Sequence, residues 1–412
     1  MSHMLIIGGG LAGGTAAEAL REEGFDGDIT LVAAEPHPPY QRPPLSKGYL
    51  AGNEGLDAVI LHPAEWYAER GIRLITGVEA TRLDPSAHAV ELDDGRRLQY
   101  DAVLLATGAT PRTIGLPGSQ LPGVMTLRRL ENSDALAARL RGGGQRLVVI
   151  GGGWIGMEVA ATARGFGNEV AILAREDVPL ATALGADMGE VFRSLHLEHG
   201  VDLRTSVAVE RIAGSDRAEG VVVDGESLPA DLVLVGVGAA PDTRLAESAG
   251  LDILNGVLTD AALRTSAPDV YAAGDVANPF HPVLQRHLRS EHWANAQGAG
   301  KVAARSMLGM PASFDDIPYF YTDQFDLGME LSGYPPLMAD AELVVRGDLD
   351  AREFIAFWVD ALTPTGTGRV VAGMNVNVWD VNETVQALIR SGERLDAERL
   401  RDEGVPLDSL LP

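Results

Sequence analysis

Cysteine is absent from this chain of 412 residues, and no other absence excludes as much. Without a thiol there is no disulfide, no zinc–thiolate site, no cysteine-ligated iron–sulfur cluster and no thiol redox catalysis within the chain. Positive charge is scarce as well. Only 33 Lys and Arg face 58 Asp and Glu, a formal net charge of −25. That balance argues against nucleic acid, whose phosphates it would repel, and against an anionic lipid surface. An acidic partner would need a local basic patch. Long apolar runs are missing too, and none approaches the ~20 residues of a membrane span. Met1-Ser2-His3-Met4 lacks a basic region and a cleavage site and leads straight into an apolar strand. No secretion signal is expected, and the cytoplasm is the default location. The nine histidines are scattered, and His281, His287 and His292 lack tight ligand spacing, so no metal site is expected. No nucleophile elbow or paired-carboxylate site stands out.

The length predicts two or three domains. An apolar fraction of 46% with 22% charged residues is that of a globular chain. The 48 glycines sit in short ordered motifs, as tight turns and backbone–ligand contacts require. Apolar runs predict a strand at Met4–Ile7, a helix over Leu11–Glu23 and a strand at Ile29–Val32. The proline-rich stretch 36–44 must be loop or extended chain. A turn at Leu92-Asp93-Asp94-Gly95 and a buried strand at Ala102–Leu105 follow. The pattern then returns, with a strand at Leu147–Ile150, a helix over Ile155–Arg164 and strands at Val170–Leu173 and Leu232–Val235. A unit of roughly 110 residues thus occurs twice, offset by about 143 positions. A strand at Val270–Ala273 and a helix near Trp293–Leu308 come next. From about Ile317 the runs Glu342–Arg346, Phe354–Val359 and Arg369–Val376 alternate as in an antiparallel sheet, with a helix near Val381–Arg390.

Both repeats carry G-x-G-x-x-G between strand and helix: Gly8-Gly9-Gly10-Leu11-Ala12-Gly13 and Gly151-Gly152-Gly153-Trp154-Ile155-Gly156. The first glycine makes the tight turn, the second lets backbone approach a pyrophosphate, and the third lets helix pack on strand. The phosphate sits at the helix N-terminus, where free amides and the macrodipole favour negative charge. Two copies in this context predict two dinucleotides. An acid closing the next strand would take an adenosine ribose, and Glu35 is that acid in the first repeat. In the second repeat the strand runs into Ala174-Arg175-Glu176. Arg175 there suits a 2′-phosphate and hence NADPH. The alternative is that Arg175 is a solvated loop residue and Glu176 takes the ribose. The balance leans to NADPH.

Further motifs occur in one order: Pro39-Tyr40-Gln41-Arg42-Pro43-Pro44-Leu45-Ser46-Lys47, Ala106-Thr107-Gly108-Ala109, Glu158 after the second glycine motif, Thr265–Val276, Glu291–Gln297 and Tyr319–Asp323. With these the chain resembles, over nearly its whole length, the ferredoxin reductases of bacterial oxygenase systems, the putidaredoxin reductase and biphenyl dioxygenase reductase group. The resemblance implies an α/β fold of two Rossmann-like dinucleotide-binding domains, arranged as in glutathione reductase, plus a C-terminal α+β domain. It implies an FAD domain over 1–111 and 245–316, an NAD(P)H domain over 112–244, and an electron-exit domain over 317–412. FAD would be held by Gly8, Gly10, Leu11, Ala12, Gly13, Glu35, Arg42, Lys47, Ala106, Thr107, Gly108, Arg112, Gly274, Asp275, Glu291, His292 and Trp293. The nicotinamide cofactor would be held by Gly151, Gly153, Trp154, Ile155, Gly156, Glu158, Ala174, Arg175, Gly236, Val237 and Gly238.

By the same resemblance Lys47 matches the lysine beside the flavin ring, paired with Glu158, and these two are the expected catalytic residues. An ammonium there would stabilise the charge that a hydride brings. Asp275 matches the aspartate on the ribityl chain. Trp293 either turns its amide to the flavin at a helix N-terminus or is plain core, and Trp154 either gates the nicotinamide pocket or packs. The chain departs from relatives at Tyr321, where several have Trp, at Ala34, where some have the ribose acid, and at Ala174, where NADH-using relatives have Glu.

With no cysteine to receive it, hydride chemistry stops at the flavin. The expected route is NAD(P)H to FAD to a separate 2Fe–2S ferredoxin that feeds an oxygenase. Arg286 and Arg289, in the run Arg286-His287-Leu288-Arg289, are the expected docking patch, with Arg128-Arg129 a second basic pair. Other readings of such a chain are an interaction flavoprotein like apoptosis-inducing factor, or a reductase of small acceptors such as quinones. It would act as a monomer or a homodimer.

Overall fold

The computed structural model describes residues 2–360, 362–364 and 366–411. The chain divides into two compact units, and neither is a continuous stretch. The first unit comprises Met1–Pro44, Glu54–Thr110 and Ala239–Asp316, and the second Leu45–Asn53, Pro111–Gly238 and Ile317–Pro412.

In the first unit a parallel sheet runs in the order Val270–Ala272, Ala102–Leu105, His3–Ile7, Asp28–Ala33, Ile72–Thr76. His3–Ile7 lies at its centre, paired in register with Asp28–Val32 and with Ala102–Leu105. Both faces of the sheet are covered, so its strands read as unbroken apolar runs. Met4 and Ile6 join a core with the helices Leu11–Glu22 and Trp293–Met307 on one face. Leu5 and Ile7 join a second core on the other, as strand alternation requires. The two helices pack closely because residue 300 is glycine: a Cβ there would lie 2.6 Å from the Ala12 carbonyl oxygen. An antiparallel sheet, Ala80–Asp84, Ala89–Leu92, Arg97–Gln99, turns at the predicted Leu92–Gly95. The segment expected as loop or extended chain closes with a 3₁₀ turn, Pro43–Ser46.

The second unit repeats the plan. Its parallel sheet runs Asp202–Arg204, Glu169–Leu173, Arg146–Ile150, Leu232–Val235, Val124–Met125. Its own antiparallel sheet, Val209–Ala213, Gly220–Val223, Glu226–Pro229, carries a register shift between Val209 and Arg211. The first unit's shift, between Ala80 and Arg82, stands at the equivalent place, so the repeat extends to its irregularities. The tail forms an antiparallel sheet in the order Tyr319–Gln324, Leu327–Gly333, Thr367–Val376, Glu353–Asp360, Glu342–Asp348. The helix Asn382–Ser391 packs on it at Gly373, where a Cβ would meet Val385 at 2.5 Å. No helix among the described residues is long and apolar enough to cross a membrane.

The excursion Leu45–Asn53 is fastened into the second unit through its backbone. Ser133 Oγ donates to the Leu45 carbonyl at 2.8 Å and Thr162 Oγ1 to that of Ser46 at 3.1 Å. Arg141 donates to the carbonyls of Tyr49 and Leu50 at 2.8 and 3.1 Å. The Tyr49 hydroxyl donates to Asp134 at 2.8 Å.

Candidate active site

Each glycine motif behaves as a cradle. Gly8 has φ +127°, and a Cβ on it would lie 2.0 Å from the Ala106 carbonyl oxygen. A Cβ on Gly13 would lie 2.0 Å from the Gly8 oxygen, which is why the helix sits so tightly on the turn. A Cβ on Gly10 would meet nothing within 4 Å. Gly10 caps Leu11–Glu22 with no side-chain bond, and the first turn carries no acid. The amides of Leu11 and Ala12 therefore end the helix beside open space, a place suited to a pyrophosphate. The second copy matches. Gly151 has φ +114°, a Cβ on Gly156 would lie 2.7 Å from the Gly151 oxygen, and a Cβ on Gly153 would meet nothing closer than 4.0 Å. Gly153 likewise caps Trp154–Gly165 without a side-chain bond or a first-turn acid. Both turns thus fit the dinucleotides expected of them.

Around the first turn, Glu35 is not free for a ribose alone. Tyr40 donates to its Oε2 at 2.5 Å and Arg42 to its Oε1 at 2.8 Å. Arg42 also donates to the Tyr40 hydroxyl at 3.0 Å and lies 5.0 Å from that ring. Burial works against the Arg42 charge, but Tyr40, Glu35 and Asp275 outweigh it and hold the guanidinium above its ordinary range. Ala106-Thr107-Gly108 leaves the strand Ala102–Leu105. Thr107 Oγ1 donates to the Asp242 carbonyl at 2.7 Å, and the Asp242 amide to that of Gly108 at 2.9 Å. Gly274, φ +76°, and Asp275 form a 3₁₀ turn after Val270–Ala272. His292 caps the helix that Trp293 opens, with no side-chain bond to the helix end, and burial holds its imidazole below the ordinary value. Trp293 Nε1 donates to Gln41 Oε1 at 2.8 Å, which fixes the indole at that helix end.

The expected docking pair separates. Arg286 is exposed on the short strand Arg286–His287. Arg289 has a side chain only 13% exposed, ion-paired with Glu291 at 2.5 Å and bonded to the Asp275 carbonyl. The Arg289 side chain is therefore largely withdrawn from the surface, with its Nη1 engaged by Glu291 and by the Asp275 carbonyl.

In the second unit, Ala174 is buried against Gly152, while Arg175 is exposed. Glu176 accepts a bond from Thr182 Oγ1 at 2.5 Å. Gly236-Val237-Gly238 follows the strand Leu232–Val235, and the Arg112 amide donates to the Gly238 carbonyl at 2.9 Å. The apolar side chains Ile155 and Val237 are exposed, at 44% and 37%. Trp154 packs on Phe192 and Phe320, with ring centroids 5.5 and 4.6 Å apart.

The centre of this unit is Glu158. Only its position in the helix Trp154–Gly165 and its resemblance marked it in the sequence. It is buried, yet one ammonium and two hydroxyls donate to it. Lys47 Nζ, on the excursion, donates to its Oε1 at 2.6 Å. Thr322 Oγ1 donates to the same oxygen at 2.7 Å and Ser46 Oγ to Oε2 at 2.5 Å. The Lys47 ammonium stands 5.3 Å from the Tyr321 ring centroid. A buried carboxylate persists as an ion only with such donors. Sequence reasoning missed Ser46 and Thr322, as well as the bond of Tyr40 to Glu35. Ser46 and Tyr40 stand in the motif that carries Arg42 and Lys47. Thr322 would have required reading the inward positions of Tyr319–Gln324 as polar.

Comparison with known proteins places this arrangement. The family described as pyridine nucleotide-disulphide oxidoreductase matches residues 2–300, and the reductase C-terminal family matches 319–411. A probable ferredoxin reductase of Castellaniella defragrans is 38% identical, over 99% of this chain and 98% of that protein. The biphenyl dioxygenase system ferredoxin–NAD(+) reductase component of Paraburkholderia xenovorans is 38% identical, over 98% and 97%. Among solved structures, putidaredoxin reductase in its covalent complex with putidaredoxin superposes with a TM-score of 0.93 at 32% identity, covering 99% of this chain and 98% of that one. A ferredoxin reductase of Rhodopseudomonas palustris gives 0.94 at 32% identity, covering both chains fully. The expected fold of two Rossmann-like units and a C-terminal α+β domain is therefore correct, and this chain belongs to the pyridine nucleotide-disulphide oxidoreductases, in their ferredoxin reductase branch.

Proposed function

We propose that this chain takes a hydride from NAD(P)H on an FAD and passes electrons singly to a 2Fe–2S ferredoxin that feeds an oxygenase, and that it works in the cytoplasm. The observation that carries the reading is the pair of helix ends, one in each unit, each capped only by a glycine that faces open space and with no acid in its first turn. We assign FAD to residues 1–111 with 245–316, the nicotinamide cofactor to 112–244, and the exit of electrons to 317–412. A bound flavin supplies acceptance of a hydride and release of electrons one at a time.

The chain's own residues do the rest. The Leu11 and Ala12 amides hold one pyrophosphate, and those of Trp154 and Ile155 hold the other. Lys47 offers a fixed positive charge to the negative charge that a hydride brings, and Glu158 fixes Lys47. The absence of cysteine leaves no thiol to receive electrons, so they leave to a partner.

The nicotinamide cofactor is NADPH in preference to NADH. Arg175 is exposed beside Ala174, where an acid would otherwise meet the ribose, and Thr182 occupies the Glu176 carboxylate. The biphenyl relative is named for NAD(+), so the two cofactors must be compared directly. Stopped-flow mixing of the flavin-loaded protein with NADPH and with NADH, then with a 2Fe–2S ferredoxin, tests the whole reading. Flavin absorbance should fall faster with NADPH, and ferredoxin should be reduced in the second mix. Failure to take up flavin, or cytochrome c reduction at full rate without ferredoxin, would overturn it.

A further inference from the structure

Three buried polar side chains of the second unit have no part in that reading. His196 lies on the helix Ala186–Glu198, and Thr322 and Gln324 lie on the strand Tyr319–Gln324; none is more than 1% exposed. They form a string. His196 Nε2 lies 2.8 Å from Gln324 Oε1, Gln324 Nε2 lies 3.2 Å from Thr322 Oγ1, and Thr322 Oγ1 lies 2.7 Å from Glu158 Oε1.

The direction of the string follows from its end. The Glu158 carboxylate, paired with Lys47, can only accept. Thr322 must donate to it and so must accept from Gln324. That sets the Gln324 amide, turns its oxygen to His196, and requires a proton on His196 Nε2. The imidazole environment agrees. Burial lowers the His196 pKa to about 4, so the ring is neutral, and Nδ1 is buried with no partner among the described residues. Donors in series polarise one another in a low-dielectric interior.

We propose that His196, Gln324 and Thr322 are positioning residues, a one-way string of donors that holds Glu158 in one rotamer and, through Glu158, holds the Lys47 ammonium in place. The proposal rests on the reading that Lys47 and Glu158 act in hydride transfer. A lysine stem has wide rotamer freedom, and a carboxylate fixed on both oxygens removes it.

The test uses Thr322→Val, which keeps the shape and deletes the donor, and Thr322→Ser, which restores the hydroxyl. Lysine occurs only at 47 and 301, and Lys301 is exposed, so it serves as an internal standard. Reductive methylation of the flavin-loaded protein, read by mass spectrometry, should modify Lys47 about tenfold faster relative to Lys301 in Thr322→Val, the loss expected for one charge-assisted hydrogen bond. Thr322→Ser should behave as the unaltered protein. The limiting rate of reduction by NAD(P)H should fall by about the same factor in Thr322→Val, with nucleotide affinity unchanged, and recover in Thr322→Ser. Gln324→Met breaks the string one bond further out and should give a smaller change of the same sign, which keeps the test open if Thr322→Val folds poorly. Glu158→Gln separates the two ideas. If it slows reduction while Thr322→Val changes neither readout, the string is refuted and the pair stands. If Glu158→Gln leaves reduction at full rate, the reading of the pair fails and the proposal falls with it.

Discussion

Lysine stands at two positions in this chain, and arginine supplies the other long cationic side chains. That makes residue 47 informative. Lysine is a compact point charge, whereas the arginine fork brings five donors in a fixed plane, and the acceptor here is a single carboxylate oxygen at 2.6 Å. Lys47→Met should lower the limiting rate of reduction about 100-fold, the cost of removing one preorganised donor from a charge-stabilising site. Lys47→Arg should keep the fold and recover only part of that loss; stopped-flow reduction of flavin-loaded variants checks both. At Arg175 the expected change concerns choice of cofactor. Arg175→Ala should raise the apparent Michaelis constant for NADPH about tenfold, the value of one charge-assisted contact, and leave that for NADH unchanged. Steady-state kinetics with the two cofactors decides it.

Among the elements, the two glycine turns allow each dinucleotide to be removed separately. Gly13→Ala would press a Cβ to 2.0 Å from the Gly8 oxygen, against 2.7 Å for the same change at Gly156. Gly13→Ala should yield protein with little bound flavin, measured by visible absorbance. Gly156→Ala should retain flavin and lose affinity for NAD(P)H. The second unit's central strand is pinned at its start by Arg146, which binds Asp231 through two bonds of 2.9 and 2.8 Å. These side-chain bonds first, with a further bond from the Arg146 amide and the guanidinium charge, outweigh burial and lower the Asp231 pKa from 3.8 to about 2. The stabilisation is full above the ordinary carboxylate value and is lost as pH falls through about 2. Asp231→Asn should lower the urea midpoint at pH 7 and flatten its decline in that acid range.

Legibility divides along the same lines. Strands such as Arg146–Ile150 and Leu232–Val235 are buried on both faces and appear as apolar runs, so sequence reasoning placed them within a residue. The hairpin Tyr319–Gly333 and the helix Ala186–Glu198 escaped it, because Thr322, Gln324 and His196 put polar atoms at inward positions and break the periodicity. Lys47 and Glu158 are 111 residues apart, and only the resemblance joined them before the fold did.

At the scale of the whole molecule, a net charge of −25 repels an acidic ferredoxin at long range. Raising ionic strength from 0.01 to 0.15 M shortens the Debye length from about 30 to about 8 Å and should increase the apparent association rate. Arg286 is the exposed cation of the predicted patch. Arg286→Glu should raise the apparent Michaelis constant for ferredoxin by a few-fold and leave ferricyanide reduction untouched; identical ferredoxin kinetics would remove it from the docking surface. The nine residues Leu45–Asn53 interrupt the first unit in sequence yet build into the second. Heredity therefore cannot trade these bodies as cassettes. A recombinant inheriting Pro111–Gly238 with a foreign N-terminal half would strand Glu158 without its cation unless the newcomer brought a matching nonapeptide, so crossovers in this lineage should survive only where both travel together.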